Sequence, residues 1–215
     1  DFRRSRGLGD VYKRQYKCAE HIKSIKENRI YTKKKTYGYR ERDEKAREEF
    51  IEARGEARAT HLIYVDQSGM DERDEDYDYA YSKAGERVYE LKSGRRGTRI
   101  NLMAGYRGNQ LIAPVMFKGG CNRDVFEAWL EQFLLPEIKP GDVVILDNAT
   151  FHHGGDVEEI IEGAGGKVMY LPSYSPDLNR IEKVWASLKK KIRQHRKSYD
   201  NLWDTIETVF AQAAS

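Results

Sequence analysis

The sequence predicts an α/β protein in which a central mixed sheet of five strands is flanked by helices. Three observations carry that expectation. Five short β-favouring runs are spread along the chain, the later ones alternate with helical segments, and two of the runs close on an aspartate. A strand, a helix and a second strand in succession need a crossover, and a crossover lays the two strands parallel.

The elements follow in order. HLIYVD (61–66) is a mostly apolar run closing on Asp66, as a buried strand would. TRINLMAGY (98–106) and NQLIAPVMF (109–117) flank Arg107-Gly108, a hairpin signal, so the three runs are expected to form a meander. Asn122 is a helix cap for Val125, Phe126, Trp129, Leu130, Phe133 and Leu134, which share one helical face until Pro136 stops them. DVVILD (142–147) is a second apolar strand closing on an acid; a helical stretch at 156–163 and Gly165-Gly166 lead to a third, KVMYLP (167–172). From Pro176 onward Leu178, Ile181, Val184, Trp185, Leu188 and Ile192 keep a helical period, and Asp200 is expected to cap a last helix.

At 215 residues the chain fits one ordinary domain with an extension. Residues 1–15 have no periodicity and read as a non-native or truncated leader, set aside from fold reasoning. The helix-favouring stretch 40–58 carries only a thin apolar stripe of Ala46, Phe50 and Ile51, so it reads as a surface or linker helix with a domain boundary near 58 and the main domain over 59–215. Cys18 and Cys121 are too sparse for a disulfide framework or a metal knuckle, and no run reaches the ~18 apolar residues of a membrane span. A soluble protein of the reducing cytoplasm is expected.

Net charge is only +3, but it is unevenly distributed. Residues 21–35 carry six Lys/Arg against one Glu, 185–197 carry six and no acid, and 71–78 (DERDEDYD) hold six acids and one Arg. Each run alone is most simply a solvated surface. The acids closing strands raise a sharper question, because ligands collect beyond the carboxyl ends of parallel strands. Asp66 and Asp147 can each cap a turn, and Asn179-Arg-Ile-Glu182 has the spacing of a capping box. Three carboxylates meeting at one point would instead repel, and a hard divalent ion such as Mg²⁺ removes that cost. Composition leaves both open.

VDQSG (65–69), LDNATFHHG (146–154) and LPSYSPDLNRIEKVW (171–185) resemble the three catalytic blocks of DDE transposases of the mariner-like superfamily, in particular its bacterial insertion-sequence branch. In that branch 34 residues separate the second acid from the final glutamate, as they separate Asp147 from Glu182. The resemblance covers roughly 60–195, and 30–58 is similar to the family's linker after its DNA-binding helices. It implies a ribonuclease-H-like fold, with Asp66, Asp147 and Glu182 as catalytic acids holding two Mg²⁺ or Mn²⁺ ions. It further implies cleavage and strand joining on DNA, with transposon terminal inverted repeats and target DNA as partners, homodimers, and a bacterial, nucleoid-associated location. Paired helix-turn-helix units do not fit before residue 40. His152 matches a histidine of the second block, with a phosphate or the surroundings of the acids as its contact, and Asn148 is placed to orient Asp147 or bind water. This chain has Gln67 where the family has an acid and Arg180 where it has proline.

For a DNA substrate the basic candidates are Lys92, Arg95, Arg96 and Arg99 in KSGRRGTR, with Lys189 and Lys190 two helical turns beyond Glu182. Two other readings stand beside this one, the first of which would lack the third block. One is a repair or junction nuclease of the same fold, and the other is a catalytically inactive, truncated transposase that only binds DNA or assembles.

Overall fold

Apolar runs become strands in the order the sequence sets, in a computed structural model that describes residues 39–71, 81–89, 97, 99–150, 152 and 156–214. The elements are helix α1 (Glu44–Glu56), strands β1 (Leu62–Met70), β2 (Ile100–Arg107) and β3 (Gln110–Lys118), helix α2 (Arg123–Trp129), strand β4 (Val143–Leu146), helix α3 (Val157–Gly163), strand β5 (Lys167–Tyr170), and helices α4 (Ile181–His195) and α5 (Leu202–Ala214). The sheet has the order β3-β2-β1-β4-β5. β1, β2 and β3 form the antiparallel meander, while β1–β4 and β4–β5 pair in parallel, as their crossovers require. Among the described residues no helix is long and apolar enough to cross a membrane. Residues 1–15, the basic run 21–35 and most of the acidic run 71–78 lie outside the described residues.

The strand period of two sorts the core into two layers. Leu62, Tyr64, Val143 and Ile145 face α4 and α5, where Trp185, Leu188, Ile192, Ile206 and Phe210 meet them. Ile63, Val65, Val144 and Leu146 face the opposite way, against Phe126, Trp129 and Leu130 beyond β1 and Val157 and Ile161 of α3. Every residue of β4 is buried, as expected of a central strand covered on both sides. Continuing the alternation puts Asp66 and Asp147 on the α4 side.

Several local expectations shift. Asp66 does not end its strand: β1 runs on to Met70 because β2 pairs with the extension, through Gln67↔Met103 to Met70↔Ile100. Parallel pairing with β4 stops at Tyr64↔Ile145, so Asp66 lies where β1 has parted from β4. The hairpin turns at Gly108 and Asn109, with φ of 55° and 75°, rather than at Arg107, because a tight two-residue turn needs two positive φ angles. Asn122 caps α2 through Val125 N at 3.0 Å, but Leu130–Leu134 form a π turn, and Val125 and Phe133 stay exposed. Asn201, not Asp200, caps α5, accepting from Asp204 N at 2.9 Å. α1 is surface-lying as expected, with only Phe50 buried, and Arg47 grips Asp177 through two bonds of 2.9 and 2.8 Å.

At the end of β4 remote from Asp147, the first acid of DVVILD is fully engaged. Asp142, 1% exposed, accepts from Arg107 Nη1 at 2.8 Å and Lys139 N at 2.9 Å and contacts His61 Nδ1 at 2.9 Å. Removing one partner of such a buried pair strands a charge. Arg107→Ala is expected to lower stability by about 3 kcal/mol in chemical denaturation, with the Asp142→Asn, Arg107→Ala double variant recovering part of that loss.

Candidate active site

Three segments far apart in sequence converge on one side of the sheet. β1 supplies Asp66, the residue after β4 is Asp147, and the first turn of α4 carries Glu182. All three line one pocket of about 350 Å³, together with Asn148, Ala149, Leu171, Ser173, Ser175, Asn179 and, at the rim, Tyr39 and Tyr174. Among the described residues no Lys or Arg lines it. Tyr39 and Tyr174 are both exposed, their ring centroids 5.7 Å apart.

Asp66 is 8% exposed, and Trp185 Nε1 donates to its Oδ2 at 3.1 Å. Burial, then the nearby charge of Glu182, drive its carboxyl up to about 7; Asp147 adds to the rise, and the Gln67 backbone N–H and Trp185 oppose it. Asp147, with 43% of its side chain exposed, makes the turn its sequence allows, accepting from Ala149 N at 3.0 Å. The same Oδ1 lies 2.6 Å from His152 Nδ1. His152 is 2% exposed and packed at a tilt against Phe126, ring centroids 4.3 Å apart, so it holds Asp147 from behind and does not reach solvent. Asn148 donates from Nδ2 to Leu171 O and, at 3.4 Å, to Ser173 Oγ, joining the loops after β4 and β5.

The capping box at Glu182 does not form. Asn179 makes no side-chain cap bond to α4; its backbone oxygen accepts from Glu182 N at 3.3 Å, and Glu182 is exposed. Arg180 takes φ −66°, close to the angle proline would fix, with its guanidinium 5.9 Å from the Tyr64 ring centre. The helix start therefore survives without proline.

On the other side of Asp66 and Asp147 a second cleft of about 770 Å³ is lined by Gln67, Ser68, Arg99, Asn101, Gly119, Gly120 and Cys121. Arg99 Nε donates to Asn101 Oδ1 at 3.1 Å, and the guanidinium crosses Gly69 so closely that a Cβ there would lie 2.3 Å from Nε. Arg99 thus joins the acids. Lys189 is half-buried and Lys190 exposed on α4, and neither lines the two clefts. Lys92, Arg95 and Arg96 lie outside the described residues. Trp185 and Asn179 are the residues that sequence patterning missed. Trp185 reads as one more core position of a helical period, and Asn179 as a cap.

An oxygen-only set of three carboxylates, two of them raising the proton affinity of the third, has the chemistry of a divalent-cation site. Asn179, whose buried Oδ1 has no hydrogen-bond partner, is one of the residues of the same lining. The side chains are not drawn into a finished cage: among the described residues no group of three or more His, Cys, Asp or Glu is arranged to hold an ion. Asp147 Oδ1 is turned to His152 and Ala149, and Asp66 Oδ2 to Trp185.

Residues 61–203 match the family described as DDE superfamily endonuclease. The chain belongs to that family. No curated protein matches it. Among solved structures it is similar to the Mos1 strand transfer complex, with a TM-score of 0.62 and 16% identity over 90% of this chain and 67% of that one. A Mos1 transposase paired-end complex with the left transposon end gives 0.59 and 14% over 91% and 67%. A Mos1 mariner paired-end complex with Mn gives 0.56 and 15% over 90% and 68%. These likenesses show a ribonuclease-H-like fold of the kind that forms a DDE transposase catalytic domain.

An unfolded aspartate releases its proton near pH 4, whereas Asp66 in the folded, metal-free chain keeps it to about 7. Between those values the folded state binds the extra proton, so stability falls as pH rises through the window and levels off above it. Urea unfolding in chelator should show a decline of up to about 1.4 kcal/mol per pH unit from this residue. Asp66→Asn should flatten it.

Proposed function

We propose that this chain carries the catalytic domain, over 59–215, of a mariner-like transposase of the bacterial insertion-sequence branch. It would cut DNA at the ends of a mobile element and join them to target DNA. The observation that carries this reading is the single pocket shared by Asp66, Asp147 and Glu182, in which Asp66 holds its proton to about 7. Membership of the endonuclease family and the fold likeness to a transposase bound to transposon ends support it.

In this reading Asp66, Asp147 and Glu182 hold two Mg²⁺ or Mn²⁺ ions; Mos1 paired-end complexes contain Mn or Mg. When bound, such ions supply the charge that activates a water or a DNA 3′-hydroxyl and stabilises the leaving oxygen of an in-line displacement. The chain's own residues set the stage. Trp185 fixes one oxygen of Asp66, and His152 with Ala149 N orients Asp147. Glu182 rides on α4, which is anchored by buried Ile181, Trp185, Leu188 and Ile192. Arg99 flanks the acids with a guanidinium that suits a phosphate, and Lys189, Lys190, Lys92, Arg95 and Arg96 extend the contact with the strand. The DNA partners are the element's terminal inverted repeats and its target, the working unit is a homodimer, and residues 16–58 belong to a DNA-binding region and its linker. The site of action is the bacterial nucleoid.

Supercoiled plasmid should be nicked by the purified chain in Mg²⁺ or Mn²⁺ and not in chelator, with Asp147→Ala slower by at least about 100-fold. Trp185→Phe, which keeps the ring packing and loses the bond to Asp66, should slow nicking about 10- to 100-fold with little change in plasmid binding. Wild type and Asp147→Ala equally inert under all metal conditions would count against catalysis.

A further inference from the structure

Asn179 is 3% exposed, and its Oδ1 is buried without a hydrogen-bond partner. Oxygens on Tyr64 and Glu127 share that condition among the described residues, but of the three only Asn179 belongs to the lining of the acid pocket. Its position is not loose. The backbone N donates to Pro176 O at 3.0 Å and the backbone oxygen accepts from Glu182 N at 3.3 Å, so the turn holding Asn179 is locked to the helix start that carries Glu182. A buried carbonyl oxygen left unpaired destabilises a fold, whereas an apolar group of the same shape would not. A side chain kept there at that cost is matched to something that arrives later.

Every other fixed oxygen donor named for the ions is a carboxylate, and a fourth carboxylate would add repulsion among the three that already line one pocket. A neutral amide oxygen adds a donor without adding charge, and hard divalent ions accept such carbonyls. We propose that Asn179 Oδ1 is a neutral oxygen donor to the divalent-ion site formed by Asp66, Asp147 and Glu182. The inference rests on the divalent-ion reading above.

The test is calorimetric titration of Mn²⁺ into the full chain, with thermal melts in chelator, for wild type, Asn179→Leu, Asn179→Asp and Asp147→Ala. Wild type should bind Mn²⁺ and Asp147→Ala should lose most of that binding. Asn179→Leu should bind about 10-fold or more weakly, while its melting temperature in chelator equals or exceeds that of wild type. Asn179→Asp, which keeps an oxygen, should retain Mn²⁺ binding. Unchanged Mn²⁺ affinity in Asn179→Leu, with Asp147→Ala impaired, would overturn the role of Asn179 alone. A lower melting temperature of Asn179→Leu in chelator would also overturn it, by marking the amide as structural. Wild type and Asp147→Ala both failing to bind Mn²⁺ would overturn the divalent-ion reading itself, and this inference with it.

Discussion

One hydrogen bond joins the two halves of the site. Trp185 Nε1 reaches across 119 residues of sequence to Asp66 Oδ2, and in doing so it ties α4 to the central sheet at the level of the acids. The indole is 2% exposed, packed 6.1 Å from the Phe210 ring, so the donor is fixed by the core and not by the loop that precedes it. Since Glu182 lies three residues before Trp185, almost one helical turn, the bond also sets where the third carboxylate stands. A helix that packs correctly on the sheet thereby delivers Glu182 to the pocket.

Two buried aspartates make the physical distinction between structure and function. Asp142 and Asp66 are 1% and 8% exposed, and both adjoin central strands. Asp142 is met by a guanidinium, an imidazole and a backbone N–H, which together satisfy its charge. Asp66 is met by one indole, one backbone N–H and two further acids, and its proton affinity rises. The first arrangement is complete as it stands. The second calls for positive charge from outside, which is why the functional reading attaches to it.

The surroundings of the acids are rigid where they must be. Asp147 is held by a buried histidine wedged against Phe126, the loops after β4 and β5 are joined by Asn148, and α1 is fastened to the segment before α4 by the Arg47–Asp177 pair, which holds the Asp177 carboxyl below the usual range. In the second cleft the Arg99 guanidinium lies across β1 at Gly69, and a Cβ there would push that flexible side chain aside.

Local pattern by itself determined a good deal of this protein. The five strands, the helices on the faces of the sheet, the N-cap of α2 and the parallel pairing of β4 with β5 follow from alternation, helical period and crossover connections, because those signals come from residues near one another in the chain, whereas the place of β4 beside β1 is a matter of strand order. The three acids that share the pocket were singled out through the spacing and wording of their blocks. Tertiary structure alone decided which acid of DVVILD is neutralised, since Arg107 and His61 are brought to Asp142 by strand order. It also decided that β1 runs past Asp66, because the extension exists only where β2 pairs with it. Trp185 as a hydrogen-bond donor and Asn179 as an orphaned acceptor were invisible for the same reason. A side chain's apolar or capping pattern is local, but the partner of a buried polar atom is chosen by what the fold places beside it.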